Sequence, residues 1–143
     1  MKKFIIDHID PFGQGVFKEG ENIYFIPKTL PGESGEFKIL NKKKGVHFCS
    51  PTIIETQSPE RIAPECKHFE DCNGCHYLHT DYEAEIGHKI NAFNRLIAKL
   101  EIKQAPDTKV IRSINRHHYR NRIQLHYSTK HNKIGFKAGK GQN

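Results

Sequence analysis

The tightest constraint on this chain is the run from Cys66 to His79, Cys-Lys-His-Phe-Glu-Asp-Cys-Asn-Gly-Cys-His-Tyr-Leu-His, which places three of four cysteines within ten residues. Cys66, Cys72 and Cys75 follow the spacing C-x5-C-x2-C, and the Asn73-Gly74 turn lets the last two sulfurs point at one centre. So polar a segment cannot order itself by hydrophobic packing. Soft thiolates clustered in a tight turn suit zinc or an iron–sulfur cluster, which would supply that order. The alternatives are a disulfide with one thiol left over, or three incidental cysteines. The N-terminal apolar run, Phe4-Ile5-Ile6, is too short for a signal peptide, and no apolar run approaches the ~20 residues of a spanning helix. The expected location is therefore the cytoplasm, where reducing conditions disfavour a disulfide framework.

A chain of 143 residues can form one modest domain or two small ones, and two small modules are expected here. Its net charge of +7 is unevenly spread. Residues 1–65 carry nine Lys/Arg and nine Asp/Glu, residues 66–108 five and seven, and residues 109–143 nine and none. An all-basic segment with four histidines reads as a nucleic-acid surface, whereas an ordinary solvated face mixes signs. The alternative is a basic segment whose acidic neighbours lie elsewhere.

In chain order, residues 3–8 read as a strand, followed by a glycine-bearing turn at Pro11-Phe12-Gly13-Gln14-Gly15. Val16–Lys18 and Ile23–Ile26 are the next strands. Glu36–Lys42 and Val46–Ile54, joined through Lys43-Lys44-Gly45, complete five. Five short strands with turns at these intervals predict a small closed barrel of the OB type, a fold that often stacks single-stranded nucleic acid on exposed aromatics. Phe12, Phe17, Tyr24, Phe25 and Phe37 are the candidate aromatics, most of them core, with one or two on a binding face. Lys42, Lys43 and Lys44 either meet phosphate or guard an edge strand.

Residues 55–65, with two prolines, read as a linker. Thr80-Asp81-Tyr82-Glu83 fits a capping box, and Tyr82, Ile86, Ile90, Phe93, Ile97 and Leu100 form one apolar stripe of a helix ending near Glu101. Lys89 and Arg95 on its polar face are available to RNA. After Pro106-Asp107, the stretches Lys109–Ser113, Tyr119–Ser128 and Lys133–Lys137 read as strands, the last two a hairpin turned at Lys130-His131-Asn132. Such a sheet is not self-sufficient, and further strands are expected to complete it. The predicted class is mainly β with one α-helix: barrel over 1–56, linker and cysteine loop over 57–80, and helix plus partial antiparallel β domain over 81–143.

These features in this order have a familiar counterpart. A barrel with Gly13-Gln14-Gly15, Phe25-Ile26-Pro27 and Leu30-Pro31-Gly32-Glu33, then Arg61-x-x-Pro64-x-Cys66-x5-Cys72-x-Gly74-Cys75, then Tyr119-Arg120-Asn121-Arg122, resembles the N-terminal portion of the bacterial RNA uracil-C5 methyltransferases. The 23S ribosomal RNA branch, which carries a TRAM domain, is the nearest match, over essentially the whole chain. The resemblance implies a TRAM barrel that holds RNA, a 4Fe-4S cluster on four cysteines, and a central β domain that helps present the uridine. By position, Cys66, Cys72 and Cys75 would be three cluster ligands, and the family's fourth lies beyond the hairpin, where this chain has ended. Cys49, in the fifth predicted strand, is not assigned. Family members use S-adenosylmethionine in a C-terminal Rossmann-like domain, where a cysteine adds to C6 of uracil and a carboxylate removes the C5 proton. This sequence has no nucleotide-binding glycine turn and no spare cysteine except Cys49, so no catalytic residue is assigned and the chain alone is not expected to methylate.

The leading expectation is thus a monomeric RNA-binding and cluster-bearing portion of such an enzyme, contacting RNA, neither DNA nor membrane, through Lys42, Lys43, Lys44, Lys89, Arg116, Arg120 and Arg122. A second reading is a freestanding RNA-binding protein with a Cys3His zinc site, Cys75-x3-His79 being suitable spacing and His68 or His76 the substitutes. A redox protein using Cys72-x2-Cys75 is the weakest, since no strand-to-helix redox context surrounds the pair.

Overall fold

The computed structural model describes residues 2–102 and 109–136. Six strands form one sheet: β1 (Lys2–Ile5), β2 (His8–Ile9), β3 (Gln14–Glu19), β4 (Asn22–Pro27), β5 (Ser34–Lys43) and β6 (Val46–Thr56), in the order β1-β5-β6-β4-β3-β2. Neighbours are antiparallel except β4 and β6, which run parallel. β1 and β2 lie at opposite ends of this order although only Ile6 and Asp7 separate them. Ile6 N–H donates to the Glu33 carbonyl and Asp7 N–H to the Val16 carbonyl, each at 2.9 Å. The predicted first strand therefore touches both ends of the sheet and curls it into the expected five-stranded barrel. Closure pairs the edges that an open sheet would expose.

Alternation along the strands builds the core. In β4, Tyr24 and Ile26 point inward while Ile23 and Phe25 stay partly exposed. Phe4, Ile6, Tyr24, Ile26, Phe37 and Cys49 fill the interior, with Phe17 packed against them. The Tyr24 and Phe37 rings meet edge-on at 5.3 Å. Lys44 and Gly45, both at positive φ, make the two-residue turn of the long β5–β6 hairpin. Gly35 is required where these strands cross, because a Cβ there would fall 2.0 Å from the Ile53 carbonyl oxygen.

Helix α1 spans Tyr82–Lys99. Its N-cap is Asp81, one residue later than the expected Thr80. The Asp81 carboxylate accepts from Ala84 N–H at 2.7 Å, while Thr80 is fully buried in a bridge to Arg61. Glu83 consequently reaches out to Arg112 rather than back to the cap. The predicted apolar stripe is only half covered: Phe93 and Leu100 are exposed, and the buried helix residues are His88 and Ala92. His88 is drawn in by a 2.8 Å contact with the linker carboxylate of Glu60.

The C-terminal part departs most from expectation. Residues 109–113 form no ladder, and of Tyr119–Ser128 only β7 (His126–Ser128) is a strand, paired with β8 (Lys133–Gly135). Lys137, the expected end of the last strand, lies outside the described residues. A strand needs a neighbour, and this two-stranded ladder pairs with nothing else among the described residues. No helix among them is long and apolar enough to cross a membrane.

Candidate nucleic-acid and metal site

The cysteine loop is held to the barrel by buried contacts that begin in the linker. Arg61 donates to Glu33 through Nε at 2.5 Å and Nη2 at 2.7 Å, and its Nη2 also donates to the Lys28 carbonyl at 2.8 Å. Glu33 is fully buried and also accepts from Leu30 N–H at 2.9 Å and Ser58 N–H at 3.2 Å. Burial alone would raise its carboxyl pKa, but the Arg61 guanidinium and the two amides outweigh it and hold the group below the ordinary value. The Leu30–Glu33 turn and Arg61 carry the family resemblance in sequence; in space they are one clamp. Sequence reading gave them no role because no local pattern links residues 28 apart.

Beyond the clamp, Phe69 is buried between Cys66 and Cys72 and lies against His79 with ring centroids 5.3 Å apart. Lys28 Nζ sits over the Phe69 ring at 5.2 Å. His79 is completely buried, and neither ring nitrogen has a hydrogen-bond partner. Burial, reinforced by Arg61, pushes its pKa down to about 4 and keeps the ring neutral. On the other side, Gly13 adopts a positive φ where a Cβ would come within 2.8 Å of His76 Cβ and 3.0 Å of the Tyr77 ring. The barrel turn and the loop meet there because residue 13 has no side chain.

The three loop cysteines are free thiols, Cys66 and Cys75 exposed and Cys72 half-buried. Gly74 N–H donates to Cys72 Sγ at 3.3 Å. Burial raises the Cys75 pKa, the Cys72 and Cys66 thiolates raise it further, and Arg120 acts in the opposite direction. Three soft donors with an amide aimed at one of them fit a zinc or iron–sulfur group chemically. As placed, no three His, Cys, Asp or Glu side chains among the described residues are gathered into a metal-holding group. The His79 ring lies tilted at 30° against Phe69, on the side of the clamp. Cys49 sits in the barrel core, where burial pushes its thiol up to about 11.

Beside Cys75 opens a cleft of about 570 Å³. Pro11 and Phe12 of the barrel, Gly74–Leu78 of the loop, Glu85 and Lys89 of α1, and Arg116–Arg120 line it. Six residues chosen from sequence, Cys75, His76, Lys89, Arg116, Arg120 and exposed Phe12, therefore converge here. Lys89 Nζ lies 5.3 Å from the Tyr77 ring centroid and pairs with Glu85 at 2.6 Å, while the Arg120 guanidinium lies 5.8 Å from the Tyr119 ring centroid. Arg116 is committed internally, donating to the Tyr77 carbonyl at 2.8 Å, the Thr80 carbonyl at 2.7 Å and Glu85 at 3.1 Å. Arg112 pairs with Glu83 in a two-pronged contact. Two cations of the all-basic segment are thus matched by the acidic first turn of α1. Arg122 does not line the cleft, and Lys42, Lys43 and Lys44 lie at the tip of the β5–β6 hairpin.

No protein-family model matches the chain. Individual relatives do. The 23S rRNA (uracil(1939)-C(5))-methyltransferase RlmD of Shewanella piezotolerans is 33% identical over 137 residues, which is 93% of this chain and 31% of that protein. Its namesake in Shewanella frigidimarina is 33% identical over 141 residues, with the same 31% covered, and that of Pectobacterium carotovorum 29% over 130, with 29% covered. The chain spans about a third of the length of the curated relatives it matches. The resemblance to the 23S branch of the RNA uracil-C5 methyltransferases, read from barrel turns and cysteine spacing, is matched by direct similarity over nearly the whole of this chain.

Proposed function

We propose that this chain is the RNA-binding and 4Fe-4S-bearing N-terminal portion of a cytoplasmic, S-adenosylmethionine-dependent uracil-C5 methyltransferase acting on 23S rRNA. The observation that carries the reading is the cleft in which Cys75, Lys89, Tyr77, Tyr119 and Arg120 come together. Cations beside aromatic rings in one concave surface suit an RNA strand, because they answer phosphate charge and base faces at once. In this reading 1–56 is the TRAM barrel, 57–80 the linker and cluster loop, and 81–143 the helix and start of the central domain. Cys66, Cys72 and Cys75 would hold the cluster, whose thiolate–iron bonds would fix the loop that floors the cleft. Arg116 orders the cleft wall, leaving Arg120 and Lys89 to meet RNA, with Arg122 and the Lys42–Lys44 tip as outlying contacts. The protein works as a monomer.

The test is RNA affinity against salt concentration. Affinity should fall steeply as salt rises, and Arg120→Ala with Arg122→Ala should flatten the slope by about one per phosphate contact removed. Binding and slope unchanged in the double variant would overturn the cleft as the contact surface.

A further inference from the structure

The turn that ends β4 holds a lysine where glycine or asparagine is the usual choice. Lys28 has a φ of 61°, in the left-handed region that a side chain disfavours. The turn enforces it, because Thr29 is fully buried and its hydroxyl donates to the Ile26 carbonyl at 2.7 Å. Lys44 also has a positive φ, but it is exposed at a hairpin tip and the two-residue turn accounts for it. Lys28 is half-buried and engaged at both ends. Its carbonyl accepts from Arg61 Nη2 at 2.8 Å, and its Nζ donates to the Glu70 carbonyl at 2.5 Å while lying 5.2 Å from the centroid of the Phe69 ring.

Phe69, 2% exposed, is the one buried residue in the described stretch from Pro59 to Leu78, so it is the apolar anchor of the cysteine loop. The backbone ties this anchor to two of the thiols. Phe69 N–H donates to the Cys66 carbonyl at 3.0 Å, and Cys72 N–H donates at 2.9 Å to the carbonyl of His68, its neighbour. Whatever fixes Phe69 therefore fixes the backbone at both cysteines. We propose that Lys28 is a positioning residue for a metal group on this loop, transmitting the position of the barrel turn through Phe69 and Glu70 to Cys66 and Cys72. This rests on the metal-bearing reading of the loop above. An exposed loop has many arrangements, and a metal must gather its donors from all of them. A cation fastened over the anchor removes part of that disorder beforehand. Left-handed strain at residue 28 is the counterpart: glycine would relax the turn and forfeit the latch.

The experiment titrates the full chain, reduced and metal-free, with cobalt(II), reading thiolate-to-cobalt absorption, and follows melting of the same metal-free variants by circular dichroism. Lys28→Gly should melt at or above the parent temperature, because the backbone strain is gone, yet bind cobalt about 10- to 100-fold more weakly. Lys28→Met, which keeps the strain and loses the ammonium, should weaken cobalt binding to a similar degree. Lys28→Arg, which keeps a cation over the ring, should bind like the parent. Unchanged cobalt affinity in Lys28→Gly and Lys28→Met would overturn the proposal while leaving the metal site in place. A melting temperature that falls in step with affinity in Lys28→Gly would make residue 28 a structural turn residue and overturn it as well. If the parent binds no cobalt, the metal reading of the loop fails and the proposal falls with it.

Discussion

The barrel and the segment from residue 109 onward have comparable apolar residue types and opposite fates. In the barrel, Phe4, Tyr24, Ile26 and Phe37 are at most 2% exposed, whereas Ile111 is 89% and Ile114 fully exposed. The difference is topological. Barrel strands close on one another, so each inward residue meets neighbours from distant strands. Among its described residues the C-terminal segment has only the β7–β8 ladder, and arginines hold it to α1 and the cysteine loop. Apolar alternation creates a face; a core requires a second face to cover it.

Breaking the barrel should have the largest effect. Phe37→Ala removes a ring that contacts Phe4, Phe17 and Tyr24, and should cost about 3–5 kcal/mol in chemical denaturation followed by far-ultraviolet circular dichroism. Arg61→Met leaves Glu33 buried and unpaired, and should cost about 3 kcal/mol while freeing the cysteine loop to proteolysis. The same pair sets a pH dependence. Because the folded carboxyl of Glu33 titrates below its unfolded value, its stabilisation is present above the ordinary glutamate range and is lost as pH falls through the folded pKa. Acid unfolding should therefore be cooperative with loss of the clamp, and Glu33→Gln should flatten the curve in that acid limb.

The C-terminal segment should respond more weakly. Arg116→Ala breaks bonds to two carbonyls and Glu85, and should cost about 1.5–3 kcal/mol, read as faster amide exchange near residues 77–85. Arg112→Ala, which removes an exposed pair, should change stability by about 1 kcal/mol or less. Ile114→Ser should stay within about 0.5 kcal/mol. A cost for Ile114→Ser equal to that of Phe37→Ala would erase the contrast between the two regions.

What was legible in the sequence follows the range of the interactions. The Gly20 and Lys44-Gly45 turns are local, and the strands on either side of them fall where pattern reading places them. The helix starts one residue late because Asp81 competes with Thr80 for the cap and tertiary burial of Thr80 decides the matter. The Glu33–Arg61 clamp and the Arg116 contacts span 28 to 39 residues and carry no periodic signature. Cys75, Lys89 and Arg120 were each singled out on chemistry, yet only the fold brings them to one cleft. Tyr77, whose ring lies under Lys89 and whose hydroxyl burial pushes up to about 12, was missed because a single tyrosine in a polar loop gives no signal.

On the proposed function, the cysteine loop beside this cleft carries an iron–sulfur cluster. Its most direct test is metal analysis of the chain purified without oxygen. Iron with acid-labile sulfide, labile in air and lost in Cys72→Ala, is the predicted result. Stoichiometric zinc that disappears in His79→Ala would contradict it and make this a small zinc protein.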